Sequence, residues 1–162
     1  MAAEKTDVLL IGPPKAVIVN GLAGPFNLIK LSDAKDPEKL FAETAPRVRA
    51  IAVSGTEQRV NGAFMTRFPK LEIVSSFGVG YDHVDAGWAE KHGITVTNTP
   101  DVLTEEVADT ALGLLLCTVR EFPQAERYVR AGKWAQKGYP LSKATLRNRT
   151  VGMVGLGRIG QA

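Results

Sequence analysis

Val151-Gly-Met-Val-Gly-Leu-Gly-Arg-Ile-Gly160 is the stretch whose reading decides the fold. Thr150 to Val154 are apolar or β-branched apart from Gly152, a pattern that predicts a short buried strand. That strand leads straight into Gly155-Leu156-Gly157-Arg158-Ile159-Gly160, a G-x-G-x-x-G spacing. Each glycine has a physical task in such a turn. Gly155 permits the sharp change from strand to helix, and Gly157 lets a pyrophosphate approach the backbone with no Cβ in the way. Gly160 allows the new helix to pack closely on the strand. The spacing alone is common; its position directly after a strand gives it weight. A glycine-rich turn without a ligand is the alternative reading. The acidic residue that completes such a fingerprint, about 20 positions further on, would fall beyond Ala162.

Working back from this stretch, Gly132 to Asn148 read as a basic, aromatic-bearing arm. Before it lies a long helix with Thr104 expected as its N-cap and Glu105 and Glu106 in its first turn, where carboxylates suit the helix dipole. Val107, Ala108, Ala111, Leu112, Leu114, Leu115, Leu116 and Val119 cover most of its circumference, so the helix is expected to be buried on several sides. Pro123 interrupts it, and a second helical piece runs to about Ala131. Asn98-Thr-Pro-Asp-Val-Leu-Thr104 is rich in turn formers and marks a boundary between domains spanning 1–99 and 100–162.

Over the first hundred residues strands and helices alternate. Strands are predicted at Asp7–Gly12, Phe26–Leu31, Ala50–Ser54, Leu71–Phe77 and Ile94–Asn98. Helices are predicted at Lys15–Leu22, from the Asp36-Pro37 cap through about Val48, at Asn61–Phe68 and at Val84–His92 with Gly93 closing the last. The alternation implies an α/β domain with a parallel, flavodoxin-like sheet, followed by the beginning of a Rossmann-type unit. Ligands of such sheets bind at the carboxyl ends of the strands. The residues to watch are therefore Ser54-Gly55 and Phe77 to Tyr81.

Composition narrows the classes. The net charge of +3 is dispersed and includes no polybasic block, so no nucleic-acid partner is expected. No apolar run reaches the ~18 residues of a membrane span, and the amino terminus lacks a secretory pattern. Cys117 is the single cysteine. With no intrachain disulfide possible, a reducing, cytoplasmic setting is the expectation.

Three motifs in order carry a resemblance. Phe77-Gly-Val-Gly-Tyr-Asp-His-Val-Asp85 comes first, then Val96-Thr-Asn-Thr-Pro-Asp-Val-Leu-Thr104 with Val107-Ala-Asp109, then Gly155-Leu-Gly-Arg-Ile-Gly160. Together they resemble the D-isomer-specific 2-hydroxyacid dehydrogenases, most nearly the glyoxylate/hydroxypyruvate and hydroxyphenylpyruvate reductases. The resemblance implies hydride transfer from NAD(P)H to a small 2-oxo acid, with NADP preferred over NAD, and no metal. It implies that the substrate carboxylate is held by backbone N–H groups at Val79 and Gly80, in the glycine-flanked turn that Gly78 opens. A turn of this kind at a strand end can present consecutive amides to an anion; a plain strand-to-helix turn is the alternative. Gly55 would line the same cleft. Gly155, Leu156, Gly157, Arg158, Ile159 and Gly160 would meet the coenzyme, with Thr104 beside the nicotinamide ring. The catalytic arginine, the acid/base histidine and its partner glutamate have no counterpart in these residues and are expected downstream.

His83 reads as a solvated loop residue, and the helix dipole accounts for His92. Cys117, Trp88 and Trp134 read as packing residues, and Asp82 and Asp85 as turn and N-cap residues. The resemblance also places the arm bearing Trp134 in a two-fold dimer, so a homodimer is expected. Other readings are an NAD(H)-responsive corepressor, a family member acting on phosphoglycerate, formate or hydroxyphenylpyruvate, and a receiver-like module in residues 1–99. Leaving six apolar helix residues uncovered would forfeit about 9–18 kcal/mol, as much as a whole domain's stability of about 5–15 kcal/mol. The 162-residue polypeptide alone is therefore expected to expose apolar surface, aggregate and lack reductase activity.

Overall fold

A computed structural model describes residues 5–142 and 144–162. The chain divides into two compact units, Met1–Pro100 and Asp101–Ala162.

The first unit is built on five parallel strands: β1 Asp7–Ile11, β2 Asn27–Lys30, β3 Val48–Ser54, β4 Ile73–Phe77 and β5 Thr95–Thr97. Their spatial order is β2-β1-β3-β4-β5, the order of doubly wound flavodoxin-like sheets. Between them run α1 Ala16–Ala23, α2 Pro37–Thr44, α3 Gly62–Met65 and α4 Ala86–Lys91. Strand β1 is buried along its whole length, as a central strand covered on both faces must be. Its side chains part in alternation. Leu9 and Ile11 join Ile51, Val53, Val74 and the α2, α3 and α4 residues Phe41, Met65 and Ala89 in the main core. Val8 and Leu10 face the other way, with Ala52, against Ile18 and Leu22 of α1. Beside α1 that second face carries an apolar groove of about 580 Å³, lined in part by Val17, Ala50, Ile73 and Phe77.

Local chemistry sets the element ends. Asp36 caps α2 by accepting from the N–H groups of Glu38 and Lys39, with Pro37 in the first turn. Asn61 and Asp85 cap α3 and α4 in the same way. Helix α2 stops at Thr44, short of the predicted Val48, because Val48 is already buried in β3 beside Asp7. Helix α3 is a single turn, shorter than predicted; Arg67 and Phe68 continue as tight turns closed by Phe64 and Met65. Across β3 and β4, Arg49 grips Glu72 with two hydrogen bonds. Those bonds hold the Glu72 carboxyl below its ordinary range.

The second unit departs further from expectation. Helix α5 spans Thr104–Arg120, α6 Phe122–Arg130 and α7 Arg158–Gln161. No residue of α5 is buried, and Leu112 and Leu114 are more than half exposed. Its apolar circumference forecast burial on several sides, but among the described residues of this unit its main neighbours are α6 and α7, and no sheet is present. Cys117, expected in a core, is half-buried on this helix. Trp134, expected to pack, is 59% exposed. The break between α5 and α6 falls at Glu121, which adopts left-handed φ of +57°. Pro123 sits in the first turn of α6, where its missing N–H costs nothing. The arm folds back along α6: the Tyr128 and Tyr139 rings meet edge to face at 5.3 Å, and the Tyr139 hydroxyl donates to Glu121. Desolvation, with that carboxylate's help, raises the Tyr139 pKa.

Candidate functional site

The carboxyl edge of the first unit's sheet concentrates the unusual backbone. Strand order changes direction between β1 and β3, so a crevice opens where their ends diverge. A cavity of about 660 Å³ lies there, lined in part by Gly12, Ser32, Ser54, Gly55 and Arg59. Gly12 and Gly55 both take left-handed φ, +84° and +99°, which bends the chain sharply out of each strand. Ser54 Oγ is buried with no hydrogen-bond partner among the described residues. Gly55 lies at this strand-end crevice, whereas Gly78, Val79 and Gly80, expected in the same cleft, do not line the cavity.

Those three residues form the neighbouring turn at the end of β4. The Gly78 N–H donates to the Ser76 carbonyl, and the Thr99 N–H donates to the Gly78 carbonyl at 2.9 Å. The Asn98 side-chain amide donates to the Val79 carbonyl at 2.7 Å. Among the described residues no hydrogen bond engages the N–H of Val79 or of Gly80. Val79 is 41% exposed and Tyr81 46%, so the turn stands open to solvent. Two consecutive unengaged amides at a sheet's carboxyl edge can hold an anion.

Beneath the turn lies a buried pair that sequence reading missed. His83, expected in solvent, is 8% exposed, and its Nε2 lies 3.2 Å from Ser76 Oγ. Its carbonyl accepts from the Val60 N–H. The reason is register: a parallel bridge between Val60 and Val84 draws His83 and Val84 inward, while Asp82 and Asp85 stay exposed. His92 sits at the end of α4, stacked on Trp88, with Nδ1 2.8 Å from the Trp88 carbonyl. His83 is thus buried, whereas His92 is exposed and held against α4 by these two contacts. Trp88 packs as expected, and a Cβ at Gly62 would press into its ring at 2.6 Å.

In the second unit the predicted strand at Thr150–Val154 is absent. Val151, Met153 and Val154 are exposed, and no strand of that unit is described for them to pair with; a strand needs a neighbour to share its ladder hydrogen bonds. The glycine turn itself is formed. Gly155 takes φ of +91°, Gly157 sits at the N-cap of α7, and Arg158, Ile159 and Gly160 lie in that helix. A Cβ at Gly160 would fall 2.7 Å from the Gly155 carbonyl oxygen, so the chain's own closure demands glycine there. A Cβ at Gly157 would meet nothing within 4 Å, so the space beside it is open. The Leu156 carbonyl accepts from Gln161, and Arg158 pairs with Asp101 at 2.9 Å. Thr104 is the first residue of α5 and not its N-cap: Leu103 holds that position without a side-chain cap. A capping side chain needs extended backbone, and Thr104 is already helical. Among the described residues no group of His, Cys, Asp and Glu could hold a metal ion, and no helix is long and apolar enough to cross a membrane.

Fold and turn together define an open parallel α/β protein with an amide pair at its ligand edge, followed by a glycine-rich turn. Residues 15–154 match the catalytic-domain model of the D-isomer specific 2-hydroxyacid dehydrogenases, and the chain belongs to that family. It is 40% identical over 159 residues to glyoxylate/hydroxypyruvate reductase A of Arabidopsis thaliana, covering 98% of this chain and 50% of that one. It is 38% identical to hydroxyphenylpyruvate reductase of Plectranthus scutellarioides over the same shares. The crystal structure of the NADPH-dependent glyoxylate/hydroxypyruvate reductase of Sinorhizobium meliloti, in complex with NADP and malonate, superposes with a TM-score of 0.83. Identity to it is 46%, over 98% of this chain and 48% of that one. The chain thus spans about half the length of the curated relatives it matches.

Proposed function

We propose that the whole protein reduces a small 2-oxo acid of the glyoxylate or hydroxypyruvate type to the D-2-hydroxy acid, using NADPH in preference to NADH. The observation that carries this reading is the pair of unengaged amides at Val79 and Gly80, on a turn at the carboxyl edge of the sheet. In this reading the first unit binds substrate: the two N–H groups hold its carboxylate, and Gly55 borders the same edge. The second unit begins the coenzyme site. Gly155, Leu156, Gly157, Arg158, Ile159 and Gly160 form the turn facing the coenzyme phosphates, and Thr104 stands beside the nicotinamide.

The coenzyme supplies the hydride. The carboxylate anchor would hold the acid in one orientation, and a fixed orientation of the reacting carbonyl lowers the barrier. A group with a proton to give must stand at the carbonyl oxygen. His83 and His92 are both engaged with neighbours; following the family resemblance, this role and that of the carbonyl-polarising arginine are assigned to residues outside positions 1–162. The preference for NADPH is supported by the Sinorhizobium meliloti relative, which is NADPH-dependent. The lone Cys117 supports a cytoplasmic protein. The exposed Trp134 supports assembly as a homodimer through the arm.

The test is oxidation of NADPH by the purified whole protein, offered glyoxylate and hydroxypyruvate separately and with NADH in parallel. Turnover of either acid, faster with NADPH, is expected. No turnover of either acid with either coenzyme rejects the reading.

A further inference from the structure

We propose that Asn98 is a positioning residue for the carboxylate-binding amides, acting through the peptide unit that joins Val79 to Gly80. The proposal rests on the substrate reading of this turn given above. A trans peptide unit is rigid and planar, and its C=O and N–H point in opposite directions. No cis peptide occurs among the described residues. Whatever grips the Val79 carbonyl therefore dictates where the Gly80 N–H points. The Asn98 side-chain amide makes that grip, at 2.7 Å. The preceding unit is set in the same way: the Thr99 N–H holds the Gly78 carbonyl at 2.9 Å, which aims the Val79 N–H. Two adjacent residues at the end of β5 thus orient both amides of the turn at the end of β4, from behind.

The two grips differ in a way that singles out Asn98. Thr99 uses its backbone, so its bond survives any side chain. The Asn98 bond depends on the side chain alone. Moreover, the peptide unit that Asn98 restrains ends in Gly80, and glycine populates positive and negative φ with similar ease. Around Gly80 a Cβ would meet only Asp82 Oδ2, at 3.8 Å, so the glycine end of the unit has open space beside it. Without a donor on the Val79 carbonyl, this unit is free to rotate and turn its carbonyl oxygen toward the anion. The amide pair then loses one donor and gains a repelling dipole.

The experiment compares the whole protein with its Asn98→Ala and Asn98→Asp variants. Oxalate serves as a probe of the carboxylate site, its affinity measured by calorimetry; KM for glyoxylate and Kd for NADPH are measured beside it. Losing one hydrogen bond to a charged group weakens binding by roughly 10–100-fold. Both variants are expected to weaken oxalate and raise KM for glyoxylate in that range, while Kd for NADPH stays within about twofold of the parent. Asn98→Asp keeps the size of the side chain but cannot donate, and Asn98→Ala removes the donor without adding a charge. A loss shared by both therefore reads the hydrogen bond, and retained affinity in Asn98→Asp overturns it even where the alanine variant folds poorly. Oxalate affinity in Asn98→Asp within about twofold of the parent overturns the proposal, as does an equal loss of NADPH affinity. A parent protein that neither binds oxalate nor turns over glyoxylate rejects the substrate reading, and this proposal with it.

Discussion

Gly12 shows how closely single residues constrain this sheet. Its φ of +84° is left-handed, and a Cβ there would lie 1.8 Å from the Ser54 carbonyl oxygen, on the backbone of β3. Neither partner can give way without opening the β1–β3 pairing that carries the core. Gly12→Ala is expected to lower stability by about 3 kcal/mol or more, read from urea unfolding of the whole protein. Gly113 is the control. It lies inside α5 with open space around its missing Cβ, so Gly113→Ala is expected to gain about 0.5–1 kcal/mol of helix propensity. Similar effects from the two substitutions would mean that the close crossing is not rigid. The need for glycine at Gly12 was half legible, since Gly-Pro-Pro after an apolar run announces a turn. The roles of His83 and Asn98 were not. His83 meets Ser76 across 7 residues and Asn98 meets Val79 across 19, contacts that tertiary register creates and local pattern does not reveal.

At the level of elements, sequence patterns succeeded where an element's own residues satisfy it. All five strands of the first unit were legible: burial writes apolar residues into β1, β3 and β4, while β2 and β5 bury none of their residues and show through their apolar and β-branched side chains. Helix α2 was legible at its start because Asp36 and Pro37 supply the cap and the first turn themselves. Asp36→Ala leaves the Glu38 and Lys39 N–H groups without their acceptor. It is expected to cost about 0.5–2 kcal/mol, measured by the same unfolding; Asp36→Asn, which still caps, is expected to stay near the parent. A loss under about 0.3 kcal/mol in Asp36→Ala would show that solvent replaces the cap without penalty. Legibility failed where an element depends on partners. Thr150 to Val154 has strand composition, yet a strand exists only with a neighbour to share its hydrogen bonds, and the second unit describes none. Thr104 failed for a smaller reason: the helix begins one residue earlier than its best capping side chain could serve.

For the molecule as a whole, the two units carry different relations between apolar content and burial. The first has a closed main core between β1, β3, β4 and the helices α2 to α4, and an apolar groove of about 580 Å³ beside α1. The second has apolar residues on most sides of α5 and buries none of that helix. Exposed apolar area carries a cost of roughly 25 cal/mol per Å² that folding elsewhere must offset, and contiguous patches of it mark surfaces that bind other apolar groups. A polypeptide of residues 1–162 in isolation is therefore expected to bind an anilinonaphthalene dye with strong fluorescence enhancement and to self-associate as concentration rises. Substitution of Leu112 and Leu114, both more than half exposed on α5, by glutamine separates this from generic unfolding. If the apolar helix surface drives the behaviour, Leu112→Gln with Leu114→Gln lowers dye binding and self-association while the first unit keeps its melting transition. The isolated polypeptide melting as a sharply cooperative monomer with no dye signal would show that the second unit closes over α5. Dye binding unchanged by the two glutamines would shift the cause from α5 to the groove beside α1, where Val17 is 64% exposed and Phe77 43%.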